Sequence, residues 1–75
     1  MTTISKEEMA KIKEMLQQVT RLEEQKGYDP VMQLIGYLLS EDPSYITVNG
    51  NARGLIRKYA RDDIMVALLS SFLGR

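Results

Sequence analysis

The sequence predicts an all-α fold, four short helices and one extended arm, assembled as a helical homodimer. Three observations predict it. Apolar residues recur at three- and four-residue spacing, in runs that open on residues able to cap a helix. One run, Val31 to Leu39, is apolar on nearly every side. The chain has 75 residues with no Cys and no His, so disulfides and thiolate or imidazole metal sites do not brace a core this small. Oligomerisation is the remaining staple, and 44% apolar residues supply the surface for it.

The first helix occupies residues 5–27, behind a frayed end at 1–4. Ser5 and Glu8 form a capping box, the hydroxyl accepting from the Glu8 amide while the Glu8 carboxylate reaches back. Ile4 and Met9 flank it as a staple. Met9, Ile12, Leu16, Val19 and Leu22 then make one narrow apolar face. Gly27 reads as the left-handed residue that ends the helix, with Lys26 complementing the dipole.

Asp29 caps a second helix, and Pro30 suits its first position, where no amide donor is needed. A helix apolar all round must be buried all round. Three other short helices can hardly wrap it, so a second copy is expected to, with Val31, Leu34, Ile35, Tyr37 and Leu38 as the dimer core. Gly36 costs about 1 kcal/mol against Ala in mid-helix, and close approach of another backbone is one reason to keep it.

Ser40 to Asn51 is the longest irregular stretch. Asp42-Pro43 ends the second helix. Tyr45-Ile46-Thr47-Val48 is β-branched and aromatic, which predicts an extended arm or short strand whose only partner is its own copy. Ala52, Leu55, Ile56 and Tyr59 form the stripe of a third helix capped by Asn51. Asp62 is read as the cap of the last helix, with Asp63 in its first turn. Its apolar face is Met65, Leu68, Leu69, Phe72 and Leu73. Residues 1–75 are thus one domain, with 28–75 as its helical body.

Charge is balanced. Residues 1–27 carry five Lys/Arg and five Asp/Glu, and residues 28–75 the same again. No tail recruits a membrane or nucleic acid by bulk charge. No apolar run approaches the ~18 residues of a spanning helix and no signal core follows Met1, so a cytoplasmic protein without membrane contact is expected.

Catalysis finds little support. Asp62-Asp63 lacks further ligands for metal or acid–base work and reads as helix-start chemistry. Tyr28, Tyr37, Tyr45 and Tyr59 lack a base or cofactor motif beside them, and read as amphipathic packing at a dimer boundary. The five Met residues read as core filling, with Met9, Met32 and Met65 on apolar faces. No enzyme and no cofactor is expected.

Arg53, Arg57 and Arg61 are four apart, which places one basic stripe on the third helix. Three readings stay open. The stripe is a solvated face paired with Asp62, Asp63 or Glu41; or it binds a phosphate or acidic partner through guanidinium forks; or it binds nucleic acid. The long connection between the second and third helices and the neutral chain argue against the last. Thr2 and Thr3 precede the first cap, where exposed threonines are ordinary but a phosphate is electrostatically favoured.

Gly27-Tyr28, Pro30, Gln33, Gly36-Tyr37, Ser40, Asp42-Pro43 and Tyr45 continue in one register to Ala52-Arg53, Ile56-Arg57-Lys58 and Arg61-Asp62. In order and spacing this stretch, within Lys26 to Leu73, resembles the IreB family of bacterial regulatory phosphoproteins. The resemblance implies a small helical homodimer that is not a catalyst. It also implies a substrate of a membrane-anchored Ser/Thr kinase with a cell-wall-sensing exterior, which regulates other proteins once phosphorylated. The family carries its phosphoacceptor threonines at the N-terminus, which points to Thr2 and Thr3. The chain departs from the family pattern at Glu41, where Gly is usual; at Gly54, where a polar residue is usual; and at Ala60, where an acid is usual. The segment ahead of the first helix is also shorter.

Overall fold

In a computed structural model, residues 4–75 of the chain are described. They form four α-helices: α1 (Lys6–Gln25), α2 (Pro30–Ser40), α3 (Ala52–Ile56) and α4 (Arg61–Leu73). No strand occurs among the described residues.

α1 is the spine. Twenty residues at about 1.5 Å each span about 30 Å, close to the molecule's longest dimension of 33 Å. α2, α3 and α4 all pack on it. Its ends form in part as expected: the Ser5 half of the capping box and the left-handed Gly27 are present, the return bond from the Glu8 carboxylate is not, and Lys26 is the cap residue, outside the last turn. Ser5 Oγ accepts from the Glu8 amide at 3.1 Å. At the far end, the Gly27 amide donates to Glu24 O at 2.9 Å and the Tyr28 amide to Glu23 O at 3.1 Å. This paired closure places Gly27 at φ +78°, where a Cβ is strained.

The core is assembled around Ile12, Met15 and Val19 of α1. Tyr37, Ile46, Ala52, Ile56, Ile64 and Ala67 close over them. Among the described residues the buried methionine is Met15; Met32 and Met65, expected as core filling, are exposed.

α2 begins on Asp29, whose Oδ1 accepts from the Val31 amide at 3.0 Å and the Met32 amide at 3.3 Å. It is not wrapped on all sides. Tyr37 is buried and Leu34 and Leu38 pack against the core, whereas Val31, Met32, Ile35 and Leu39 face outward. Three of the five residues expected at a dimer core thus serve this chain's own interior. The neighbour crowding Gly36 is also internal. A Cβ there would collide with the ring of Tyr45, not with another backbone.

The expected extended arm is instead a folded strap. Asp42 Oδ1 accepts from the Ser44 amide at 2.9 Å and opens a 3-10 turn, Pro43–Tyr45. A second 3-10 turn follows at Asn49–Asn51. Between them Ile46 is fully buried, and the Thr47 amide donates to Glu23 Oε1 of α1 at 2.7 Å. Asn49 Nδ2 donates to Leu22 O at 3.2 Å and to Gln25 Oε1 at 2.9 Å. The β-like composition at 45–48 gives way because α1 offers this strap a buried carboxylate and an apolar seat.

The third and fourth helices differ from expectation at their starts. Asn51 makes no side-chain cap and stands at φ +61°. Asp62 is not the cap of α4 either: the cap residue is Ala60, and Asp62 Oδ1 accepts only from the adjacent Asp63 amide, at 3.1 Å. Both carboxylates sit in the first turn, where they complement the dipole. The inward face of α4 is Ile64 and Ala67. The face expected to be buried points out: Met65, Leu68, Leu69, Phe72 and Leu73 are all exposed, Phe72 at 88%.

Candidate functional site

The basic residues do not form the expected stripe. α3 ends at Ile56, and the Lys58 and Tyr59 amides tighten onto Leu55 O and Ile56 O. Arg53 lies on α3, Arg57 caps its end and Arg61 opens α4, so the four-residue spacing no longer implies a shared face. Each guanidinium has its own setting. Arg53 Nε donates to Ile46 O at 2.7 Å and so holds the strap. Arg61 Nη1 donates to Leu38 O at 2.7 Å, satisfying a carbonyl in the last turn of α2, and its Nη2 pairs with Glu41 Oε2 at 3.0 Å. Arg57 is exposed.

Arg57 and Arg61 nevertheless meet in one cleft. It encloses about 400 Å³ where the end of α2, the Pro43 turn, the end of α3 and the start of α4 converge. Tyr37, Tyr59 and Glu41 line it with them. Arg61 is held rigid by two partners, whereas exposed Arg57 is not packed into the core. Guanidinium forks and phenolic hydroxyls suit oxyanions, with Glu41 partly offsetting the charge.

Glu41 stands in the left-handed region, φ +63°, at the end of α2. That backbone favours Gly, and Glu41 combines the strained position with the pair to Arg61. Sequence reading anticipated that pair as one of three options for the stripe. It missed Glu23, which is fully buried, holds the strap through Oε1 and leaves Oε2 without a hydrogen-bond partner. The signal was present: Glu23 continues the Ile12, Leu16, Val19 face, four residues after Val19.

Two further surfaces matter. The outer faces of α2 and α4 carry Val31, Ile35 and Leu39 and then Leu69, Phe72 and Leu73, all open to solvent. Scattered exposed apolar residues need no explanation, but here they are gathered on two helix faces. Thr2 and Thr3, the phosphoacceptor candidates, lie outside the described residues. No group of three or more Asp or Glu among the described residues is placed to hold a metal ion. No helix among them is long and apolar enough to cross a membrane.

The family comparison reaches further along the chain than the stretch from Lys26 to Leu73. The family model described as the IreB regulatory phosphoprotein matches residues 1–74, first helix included. IreB proteins are regulatory phosphoproteins and are not a known enzyme family. With nearly its whole length matched, this all-helical chain belongs to the IreB family of regulatory phosphoproteins.

Proposed function

We propose that this chain is a non-enzymatic regulator that works through protein–protein contacts, as a homodimer and as the substrate of a Ser/Thr kinase in cell-envelope signalling. One observation carries the reading: a member of a regulatory family leaves two helix faces, on α2 and α4, apolar and uncovered. The occupant of the α2 face is a second copy. Pro30 to Ser40 holds no charged residue, so its outer face has no charge to set against a charged partner and suits a copy of itself. In that assembly Val31 and Ile35 make the contact, while Leu34, Tyr37 and Leu38 support it from beneath.

Phosphorylation falls on Thr2 or Thr3. The phosphate adds about −1.5 to −2 charges, and its receiver is the cleft of Arg57 and Arg61, or else the phosphate masks that cleft from an acidic partner. Arg53 has no part in it because it does not line that cleft and its Nε is turned to Ile46 O. The alternative, nucleic-acid binding by Arg53, Arg57 and Arg61, loses its premise once the three no longer share a helix.

Incubation with a membrane-anchored Ser/Thr kinase of the source cell, followed by intact-mass analysis of wild type and Thr2→Ala/Thr3→Ala, tests the kinase arm. A mass gain of one or two phosphates, lost in the double variant, is expected. Sedimentation at micromolar concentration tests the dimer, and a folded monomer there would overturn that part.

A further inference from the structure

We propose that the groove between α1 and α4 docks an amphipathic helix of another protein whose apolar stripe is edged with Asp and Glu. This builds on the reading that the chain acts through protein contacts, and names the chemistry of one partner.

The groove encloses about 780 Å³. Its floor is apolar: Met9, Ala10 and Leu16 from α1 and Leu68 from α4 are accessible there, over the buried Ile12 and Ala67. Its polar edge carries Lys6, Lys13 and Arg21, and no carboxylate lines it. That segregation is not a consequence of composition. α1 also carries Glu7, Glu8, Glu14, Glu23 and Glu24, and every one of them lies off the groove. Lys6 and Lys13 are seven residues apart and Arg21 eight further, which keeps the three cations on one side of the helix. A neutral protein thus presents one locally basic, apolar-floored channel.

Length selects a helix as the occupant. From Lys6 to Arg21 is about 22 Å along α1, about four helical turns. Helix-in-groove binding uses an apolar stripe at i, i+3, i+4 and i+7 as anchors, and flanking charges set partner choice. A second copy does not supply such a helix. α1 has the carboxylates, but its apolar line of Ile12, Met15 and Val19 is buried in its own core; α2 has no charged residue, and α4 has carboxylates only at Asp62 and Asp63, in its first turn.

Two synthetic peptides of about 18 residues test the proposal, both with the same leucine stripe, one flanked by Glu and one by Lys. Each is titrated into the isotopically labelled full chain and followed by amide shifts. The Glu-flanked peptide is expected to bind, with shifts at residues 6–21 and 67–71 and an affinity that falls with salt. Lys13→Glu/Arg21→Glu, at exposed positions, is expected to weaken it about 10-fold and to reverse the preference toward the Lys-flanked peptide. Ala10→Trp, which fills the groove from an exposed position, is expected to block both. Equal binding of the two peptides, shifts centred on α2, or no shift would overturn the proposal. Sedimentation and intact-mass results are independent of this groove, so a failure here leaves the dimer and kinase tests standing.

Discussion

The C-terminal half of α1 with its strap and the outer faces of α2 and α4 solve opposite problems. Around α1 the chain closes on itself. Ile46 is fully buried, Glu23 and Arg53 tie the strap down, and Asn49 binds the last turn of the helix. On α2 and α4 the chain stays open, and Leu39 is 80% and Phe72 88% exposed. Apolar content is no lower in the open region. The difference teaches that apolarity alone does not mark the core of a small chain. The core forms where apolar side chains and polar stitches coincide, and apolar faces without stitches stay open to solvent.

The largest expected effect separates the two regions. Ile12→Ala removes a fully buried side chain at the centre of the spine, which costs about 2–5 kcal/mol. A core this small holds about 3–5 kcal/mol in all, so helical circular dichroism is expected to collapse. Ile35→Glu, on the open face, is expected to keep the helical signal and to weaken the proposed dimer in sedimentation, raising its Kd by about 100-fold. If Ile35→Glu unfolds the chain as Ile12→Ala does, folding and assembly are inseparable and the distinction between closed and open regions collapses.

The next effect concerns the stitches. Glu23→Ala leaves the buried Thr47 amide without its acceptor and is expected to cost about 1–3 kcal/mol. Glu23→Gln keeps a carbonyl oxygen in place and should cost less. Hydrogen exchange at the Thr47 amide is the readout. Unchanged protection in Glu23→Ala would mean that the strap is held by Ile46 alone.

These contrasts explain what could be read from the chain. The starts of α1 and α2 and the end of α1 were legible because their causes are local: Ser5 reaches Glu8, Asp29 reaches Val31, and Gly27 supplies its own backbone freedom. The facing of α4 was not. Ile64 to Leu69 is six apolar residues in succession, so periodicity gives no preference between an inward Ile64–Ala67 line and an outward Met65–Leu69 one. The arginine stripe failed for a nonlocal reason. Arg61 is tethered to Leu38 O and Glu41, twenty or more residues earlier, and α4 starts there instead of continuing α3. Of the candidate site, the pairing of Arg61 with Glu41 was visible as an option, while the convergence of Arg57 with Tyr37 was not, because it depends on how α2 lies beside α3 and α4.

Gly36 sharpens the boundary between the regions, since it lies on α2 yet faces the strap. Gly36→Ala is expected to destabilise by about 1 kcal/mol, because the gain in helix propensity is outweighed by displacing the Tyr45 ring. In a Tyr45→Ala background the same change should stabilise by about 1 kcal/mol. Denaturant melts of the four proteins give the sign directly. A Gly36→Ala effect that is the same in both backgrounds would remove Tyr45 as the reason for the glycine.

Asp42 supplies the smallest effect and a pH-dependent one. It is the strap's first stitch, and it is the one most open to water. The Ser44 amide is the main cause holding its carboxyl below the ordinary 3.8, with the Ser44 hydroxyl next and the charge of Arg53 adding a little; slight desolvation works the other way. A carboxyl whose folded value is depressed contributes stability above its unfolded value, and loses it as pH falls through the folded value. The contribution is therefore complete above about pH 4 and fades below it. Because Asp42 is fully exposed, the expected readout is local: its side-chain carbon should titrate with a midpoint below 3.8, and Ser44 and Tyr45 amide exchange should quicken through the same range. Added salt should move the midpoint only slightly, since the largest cause is a hydrogen bond and not a charge. Asp42→Asn retains an oxygen acceptor for the Ser44 amide and should erase the pH dependence of that exchange while leaving the turn formed. A midpoint at or above 3.8 would show that the Ser44 hydrogen bond does not favour the ionised carboxylate, and that the strap is tied to the closed region only from Ile46 onward.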